Sequence, residues 1–395
     1  MSTMAPRMAG RFGSIRSTLL QHAIVAVLVV AAAGLAIWLI DPFDAFLVYQ
    51  LSSVIYIAIA ASGLTVLTGL NGQLSLGHGA LMAIGAYTTA LVLQHLTDLN
   101  PALVMVAATL TTAIAASVIG VAAARLRGPY LAGATLGLAV GLPGVAVRFS
   151  NVFGGDTGLN IASITAPDYM SSVPQEVWFA WLGLIPAAIT FVVLANLVRT
   201  RYGRDFRAVR EDEVASALYG IRVARTQVLA FVLSGACAGL AGSLMAYTSN
   251  VAAPGSFPVT LSLELLAAIV IGGLGTLPGA VWGAFIIVFA PDWIGNLKDA
   301  LHLPGSVRDQ LPLALFGAVF VVACRNHGDE LAPGAAERIE HQGQVPDRHD
   351  DPDGERDVER GHDHASLSAT RATAAGARSG TAAASSSPVS LRRVA

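Results

Sequence analysis

Two ionisable side chains stand inside long apolar stretches of this sequence, Glu264 in LSLELLAAIV and His78 in GLNGQLSLGHGALMAIGAY. An ionisable group within a membrane span is a functional candidate by default, as a proton or ion site or as a contact for a polar solute. Each has a plainer reading. Glu264 falls near the outer end of its run, where it could cap a helix, and a lone histidine such as His78 is commonly a hydrogen-bonded structural residue. Around His78, the residues Asn71, Gly72, Gln73, Ser75 and Gly77 make a polar, glycine-rich break. A second break, with Gly272, Gly273, Gly275 and Gly279, follows Glu264. Non-helical backbone at membrane depth is tolerated only where protein or a water-filled cavity surrounds it. Interrupted helices of this kind present backbone groups to a transported solute. Both breaks are therefore candidates for a translocation pathway or gate. For the first, the alternative is an ordinary turn followed by close helix packing through Gly77, Gly79 and Gly85.

Catalysis finds no support. The chain has no GxxxxGK[ST], HExxH or GxSxG pattern, so no catalytic residue is assigned and no enzyme activity is expected. Cys237 and Cys324 both lie in apolar runs without ligand spacing and read as small buried residues. His341, His349, His362 and His364 sit near aspartates and could hold a metal, but a solvated tail is the default and no metal site is expected. No nucleic acid is expected as a partner.

The elements that must position these residues follow from composition. The 395 residues are 54% hydrophobic and 13% charged, with a mean hydropathy of +0.61. A soluble domain carries about 25% charged residues. Continuous runs such as AIVAVLVVAAAGLAIWLI exclude a barrel, whose strands would alternate over about ten residues. The expected fold is all-α, a polytopic transmembrane helical bundle with about eight to ten spans, some broken or re-entrant because several fall short of the ~20 residues a bilayer needs. The runs are 23–40, 46–67, 80–96, one ending near 124, then 130–147, 177–198, 226–247, 261–274, 279–289 and 311–323. Residues 1–19, with Arg7, Arg11 and Arg16, read as a cytoplasmic N-terminus. The run 23–40 exceeds the 7 to 15 residues or so of a signal sequence and reads as an uncleaved first helix. Residues 20–325 form the transmembrane domain. Residues 326–395, with DRHDDPDGERDVERGHDH and then an Ala/Ser/Thr/Gly-rich stretch, read as a disordered cytoplasmic tail.

One long segment between the spans, 199–225, is densely charged: Arg199, Arg201, Arg204, Arg207, Arg210, Arg222 and Arg225 against Asp205, Glu211, Asp212 and Glu213. Each charge at the bilayer centre costs roughly 2.5 to 3.5 kcal/mol, so the segment must meet water. Its arginine excess places it in the cytoplasm. Ten crossings from an inside start group Arg125, Arg127, this loop and the tail inside. They leave Asp41, Asp44, Asp98 and the 148–175 loop outside. Residues 210–219 followed by Gly220 read as one helix ended by glycine.

The blocks GLNGQLSLGHGALMAIGAYTTAL, GPYLAGATLGLAVG, GGDTGLN, GRDFRAVREDEVASALYGIRVARTQVLAFVLSGACAGLAGSLMAY and LSLELLAAIVIGGLGTLPGAVWGA occur in this order and cover most of residues 50–290. They resemble the permease subunits of ABC importers for branched-chain amino acids, of the LivM type. The resemblance implies a translocation pathway for branched-chain amino acids or a related small solute in the bacterial inner membrane. It implies a second homologous permease (LivH-type), ABC ATPase subunits and a periplasmic substrate-binding protein as partners, with membrane lipid around the spans. No cofactor is implied on this chain, since ATP and magnesium would bind the partner ATPase. The loop would contain a coupling helix docked in a groove of that ATPase, with Arg207, Arg210, Glu211, Asp212, Glu213 and Gly220 as its candidate residues. Glu213 and Gly220 follow the family's Glu-then-Gly pattern with an interval one residue longer and without its IxLP ending. Motion of the loop would reach the breaks near Gly72 and Gly273. The alternative is a self-sufficient secondary transporter or channel that uses His78 or Glu264.

Overall fold

The structure, a computed structural model, describes residue 34 and residues 45–96, 99–126, 129–161 and 174–300. The readings for residues 1–19, for the 23–40 run apart from Gly34, for 311–323, Cys324 and the tail with its histidines lie outside them.

Eight helices match the eight runs from 46–67 to 279–289. They are α1 (Ala45–Leu64), α2 (His78–His95), α3 (Pro101–Ala123), α4 (Pro129–Arg148), α6 (Gln175–Arg199), α9 (Val223–Ser249), α10 (Val259–Gly272) and α11 (Leu277–Ala300). Between them lie the short α5 (Ser150–Phe153), α7 (Arg201–Glu211) and α8 (Glu213–Leu218). Local signals set several starts. Asn100 caps α3, its Oδ1 accepting the Ala102 N–H at 2.9 Å, and Pro101 fills the first turn, where a missing N–H costs nothing. Among the described residues, 6 helical segments are long and apolar enough to cross a membrane: Phe46–Leu70, Pro101–Ala123, Tyr130–Arg148, Val177–Arg199, Val223–Ser249 and Pro254–Gly272. Leu277–Trp293 is a shorter apolar helix. α2 is more polar, with His78, Thr88, Thr89 and His95. Most of its residues are buried.

α9 is the centre of the bundle, packed on α1, α2 and α3. Small residues set the spacing. A Cβ at Gly85 would lie 2.6 Å from the Gly239 Cα, and one at Gly239 would lie 2.5 Å from Thr112 Oγ1. Thr89 Oγ1 donates to Ser243 Oγ at 2.7 Å across the same seam. Gly235 and Gly242 approach Ala116 and Met82 in the same way, and this is the close approach that drives helix association in lipid.

The helix ends sort to two sides. At the far end, Leu159 and Asn160 (β1) pair antiparallel with Ala252 and Val251 (β2), tying the segment after α4 to the end of α9. Phe153 packs edge-on to Tyr87, with ring centroids 5.3 Å apart. At the other end, called the loop end, α7 and α8 connect α6 to α9.

Candidate functional site

α1 does not stop at Leu64. It widens into a π-helical stretch, Thr65–Leu70, past the end of the 46–67 run, so the non-helical break is 71–77. The carbonyls of Val66, Leu67 and Thr68 are taken by the N–H groups of Asn71, Gln73 and Gly72 at 3.1, 3.1 and 3.2 Å. Gly72 turns the chain with φ +75°, a conformation glycine adopts without penalty. The chain then re-enters the bundle. Gly69 is at the loop end, but His78 starts α2 with its Nδ1 3.4 Å from Ser234 Oγ. Ser234 packs at the level of Gly63, whose Cβ would lie 3.0 Å from its carbonyl. At 1.5 Å per residue that is about 9 Å deeper than Gly69.

Three helices pin the re-entrant segment. The Leu76 N–H donates to Thr135 Oγ1 of α4 at 3.0 Å. The Gly79 N–H donates to Ser262 Oγ of α10 at 2.9 Å. A Cβ at Gly77 would lie 2.8 Å from the Thr135 carbonyl. Gly77, Gly79 and Gly85 thus do pack closely, and they do so after a re-entrant turn rather than an ordinary one. Within it, Ser75 is buried and the Asn71 amide and Gln73 Oε1 are buried without a hydrogen-bond partner among the described residues.

The second break lies against the first. Gly272 and Gly279 meet backbone to backbone, and Gly273 and Gly275 have φ +108° and +83°. A Cβ at Gly69 would lie 2.5 Å from the Gly275 nitrogen. Glu264 is the sixth residue of α10, so it does not cap that helix. The sequence reading that puts it near the outer end assumes a helix that begins at the membrane surface. Ser262 instead contacts Gly79, which puts Glu264 at about the depth of His78. Its side chain is exposed beside Leu263.

The loop is two helices, not one. Thr200 caps α7, its Oγ1 accepting the Tyr202 N–H at 3.3 Å, and α7 buries Phe206 and Val209. Asp212 then leaves helical geometry at φ −158°, ψ 114°. Its Oδ1 accepts the N–H groups of Val214 and Ala215 at 2.8 and 2.9 Å, starting α8. The reading of a continuous helix over 210–219 is corrected for that reason: aspartate is a strong N-cap. Gly220, φ +86°, ends the second helix as expected.

Half of the loop candidates bond inward. Glu213 Oε1 accepts from Gln227 Nε2 of α9 at 2.8 Å. Arg207 Nη2 donates to the Val198 carbonyl at 3.2 Å, and Arg210 Nη1 donates to the Gly69 carbonyl. Glu211 is exposed. Arg207, Arg210, Asp212 and Glu213 also remain exposed, and beside them large apolar side chains project: Val214 is 68% exposed, Leu218 84% and Tyr219 89%. The sequence reading passes over these three. Their signal is present as an i, i+4, i+5 apolar cluster inside the most charged segment of the chain.

The described residues thus form a multi-pass helical bundle whose interrupted helices are tied to an exposed loop with an apolar tip. The chain belongs to the family described as branched-chain amino acid transport system permease components, matched over residues 46–324. It is 32% identical over 271 residues to the high-affinity branched-chain amino acid transport system permease protein LivM of Salmonella typhimurium, covering 62% of this chain and 63% of that one. It is 27% identical to BraD of Pseudomonas aeruginosa, another such permease, over 62% of this chain and 85% of the relative. LivH of Salmonella typhimurium, a permease of the same name class, is 24% identical over 67% and 88%. The chain thus spans about 63% of the length of its LivM relative. No solved structure matches the chain.

Proposed function

We propose that this chain is one permease subunit of an ABC importer. It forms part of the translocation pathway for branched-chain amino acids or a related small solute, driven by ATP hydrolysis on separate ATPase subunits. The observation that carries the proposal is the exposed apolar tip Val214, Leu218 and Tyr219 on a loop anchored to the bundle through Arg210 and Glu213. Large apolar side chains this exposed mark an interaction site. The arginine excess of the loop favours a cytoplasmic position, which makes the partner a cytoplasmic ATPase that binds ATP and magnesium. The chain then lies in the bacterial inner membrane with both termini in the cytoplasm. The names of the relatives support a pair of permeases: LivM and LivH of Salmonella typhimurium carry one system name. A periplasmic binding protein would deliver the solute at the far end. The self-sufficient alternative loses support at His78, which is fully buried against Ser234.

The test is a pull-down of the chain from detergent-solubilised membranes followed by mass spectrometry. A Walker-motif ATPase and a second permease are expected with it. Recovery of the chain alone, still transporting after reconstitution, would sink the proposal.

Glu264 is the pathway candidate with the most direct test. An ionisable side chain at mid-depth avoids lipid and faces a cavity or a partner, and Glu264 is exposed in the isolated chain. We place it on the pathway side, where a carboxylate suits the ammonium of an amino acid. Glu264→Leu is expected to leave expression unchanged and to reduce uptake of labelled leucine about tenfold, the scale of losing one charge-assisted bond. Wild-type uptake by that variant would remove Glu264 from the pathway.

A further inference from the structure

We propose that Arg210 is a positioning residue of the transport cycle, acting inward to hold both glycine breaks to α7 rather than outward on a partner. The inference rests on the reading of the loop as the coupling element.

The local accounting leads to it. The last carbonyls of a helix lack intrahelical donors. At the end of α1, those of Val66, Leu67 and Thr68 find backbone N–H groups in the turn that follows. The Gly69 carbonyl is taken by Arg210, 141 residues away. A cation at a helix C-terminus also meets the negative end of the dipole, and a charged donor makes the stronger class of hydrogen bond. Among the described residues no carboxylate pairs with this guanidinium.

The same point is where the two breaks touch. A Cβ at Gly275 would lie 3.2 Å from the Gly69 carbonyl and 3.7 Å from Arg210 Nη1. A Cβ at Gly72 would lie 3.0 Å from Arg210 Cγ. The stem of Arg210 therefore covers the turn of the first break while its head sits where the second meets it. α7 carries this side chain as a rigid body, since Phe206 and Val209 anchor it in the core. Beside the contact, the buried Asn71 amide and Gln73 Oε1 have no hydrogen-bond partner among the described residues. An unpaired buried amide bears an uncompensated desolvation cost, so this turn is the poorly satisfied part of the bundle. It has a reason to rearrange when Arg210 withdraws. A displacement of α7 is thus delivered to both breaks through one side chain.

The test uses the full importer, co-expressed with its ATPase and permease partners and reconstituted in vesicles, with labelled leucine as the probe. Arg210→Ala is expected to retain the ATPase in pull-down and to hydrolyse ATP, but uptake per ATP falls about tenfold or more, as misplacement by an ångström can cause. Arg210→Lys restores part of the loss, since it keeps the charge but not the fork. Gly275→Ala uncouples in the same way, and the double variant is no worse than either single one. Loss of the ATPase from the Arg210→Ala complex would assign the residue to docking and overturn the proposal, as would unchanged uptake per ATP or additive losses. A second measurement is independent of the partners: amide exchange in the purified chain. Arg210→Ala should speed exchange over 71–77 by about tenfold or more while α9 stays protected. Unchanged exchange there overturns the proposal. If wild-type chain recovers no ATPase, the coupling reading fails instead, and exchange still decides whether Arg210 holds the break.

Discussion

A chain carrying Leu218→Asp and Tyr219→Asp should insert, purify and melt as the wild type does, and yet support no measurable uptake. The two side chains are 84% and 89% exposed, so the isolated chain loses little packing with them. Exposed substitutions of this kind usually stay within about 0.5 kcal/mol. In the docked state the balance reverses. Fully burying a large apolar side chain contributes about 1.5 to 3 kcal/mol, so the pair is worth roughly 3 to 6. Each 1.4 kcal/mol or so is tenfold in affinity, which makes the expected loss about a hundredfold or more. Two carboxylates at the interface deepen it, because each would have to be desolvated. ATPase recovery in pull-down and leucine uptake both report the change. Recovery and uptake at wild-type levels would show that α8 is not the docking element.

The contrast between Arg210 and Leu218 shows where sequence reading stops. Span positions were legible because continuous apolar runs admit few other structures in a bilayer. The break around Gly72 was legible because glycines and amides interrupt such a run. Which loop side chains face inward was not. Charge marks 199–225 as wet, and that holds, but Arg207, Arg210 and Glu213 bond back to the bundle while the uncharged tip projects. The partners of these residues lie at Val198, Gly69 and Gln227, and no local periodicity encodes such distances. Asp212 is a different case: its capping of α8 was readable as a local signal, and the dense charge around it hid it. Glu264 does not cap α10, because that helix already begins at Val259 and Glu264 is its sixth residue. α2 begins inside the bundle, and its contact with Ser262 fixes the depth of α10.

Glycine content is equally ambiguous in sequence, and one pair of substitutions separates its meanings. Gly239→Leu on α9 should prevent recovery of folded protein, or lower its melting temperature by about 10 °C. Gly137→Leu on α4 should leave melting unchanged. Both glycines sit in short-period small-residue patterns, GACAGLAG and GATLGLAVG. At Gly239 a Cβ would lie 2.5 Å from Thr112 Oγ1 and 2.6 Å from Thr112 Cβ, and on the other side Gly85 needs the Gly239 backbone within reach. A leucine there must push α9 away from α3. Overpacking costs about 1 to 3 kcal/mol even where neighbours can yield, and here the Thr112 Cβ and, at 2.8 Å, the Ala108 carbonyl belong to the body of α3. In lipid the lost contact is the association force itself. Among the described residues nothing lies within 4 Å of a Cβ at Gly137, nor at Gly133, Gly141 or Gly144 along the same helix. That face of α4 is open among the described residues, so leucine is expected to meet no resistance on folding. If Gly137→Leu melts normally but fails to recover the second permease, the open face is covered in the importer. If it recovers the permease and transports, the face meets lipid. Either result follows from what stands opposite the glycine.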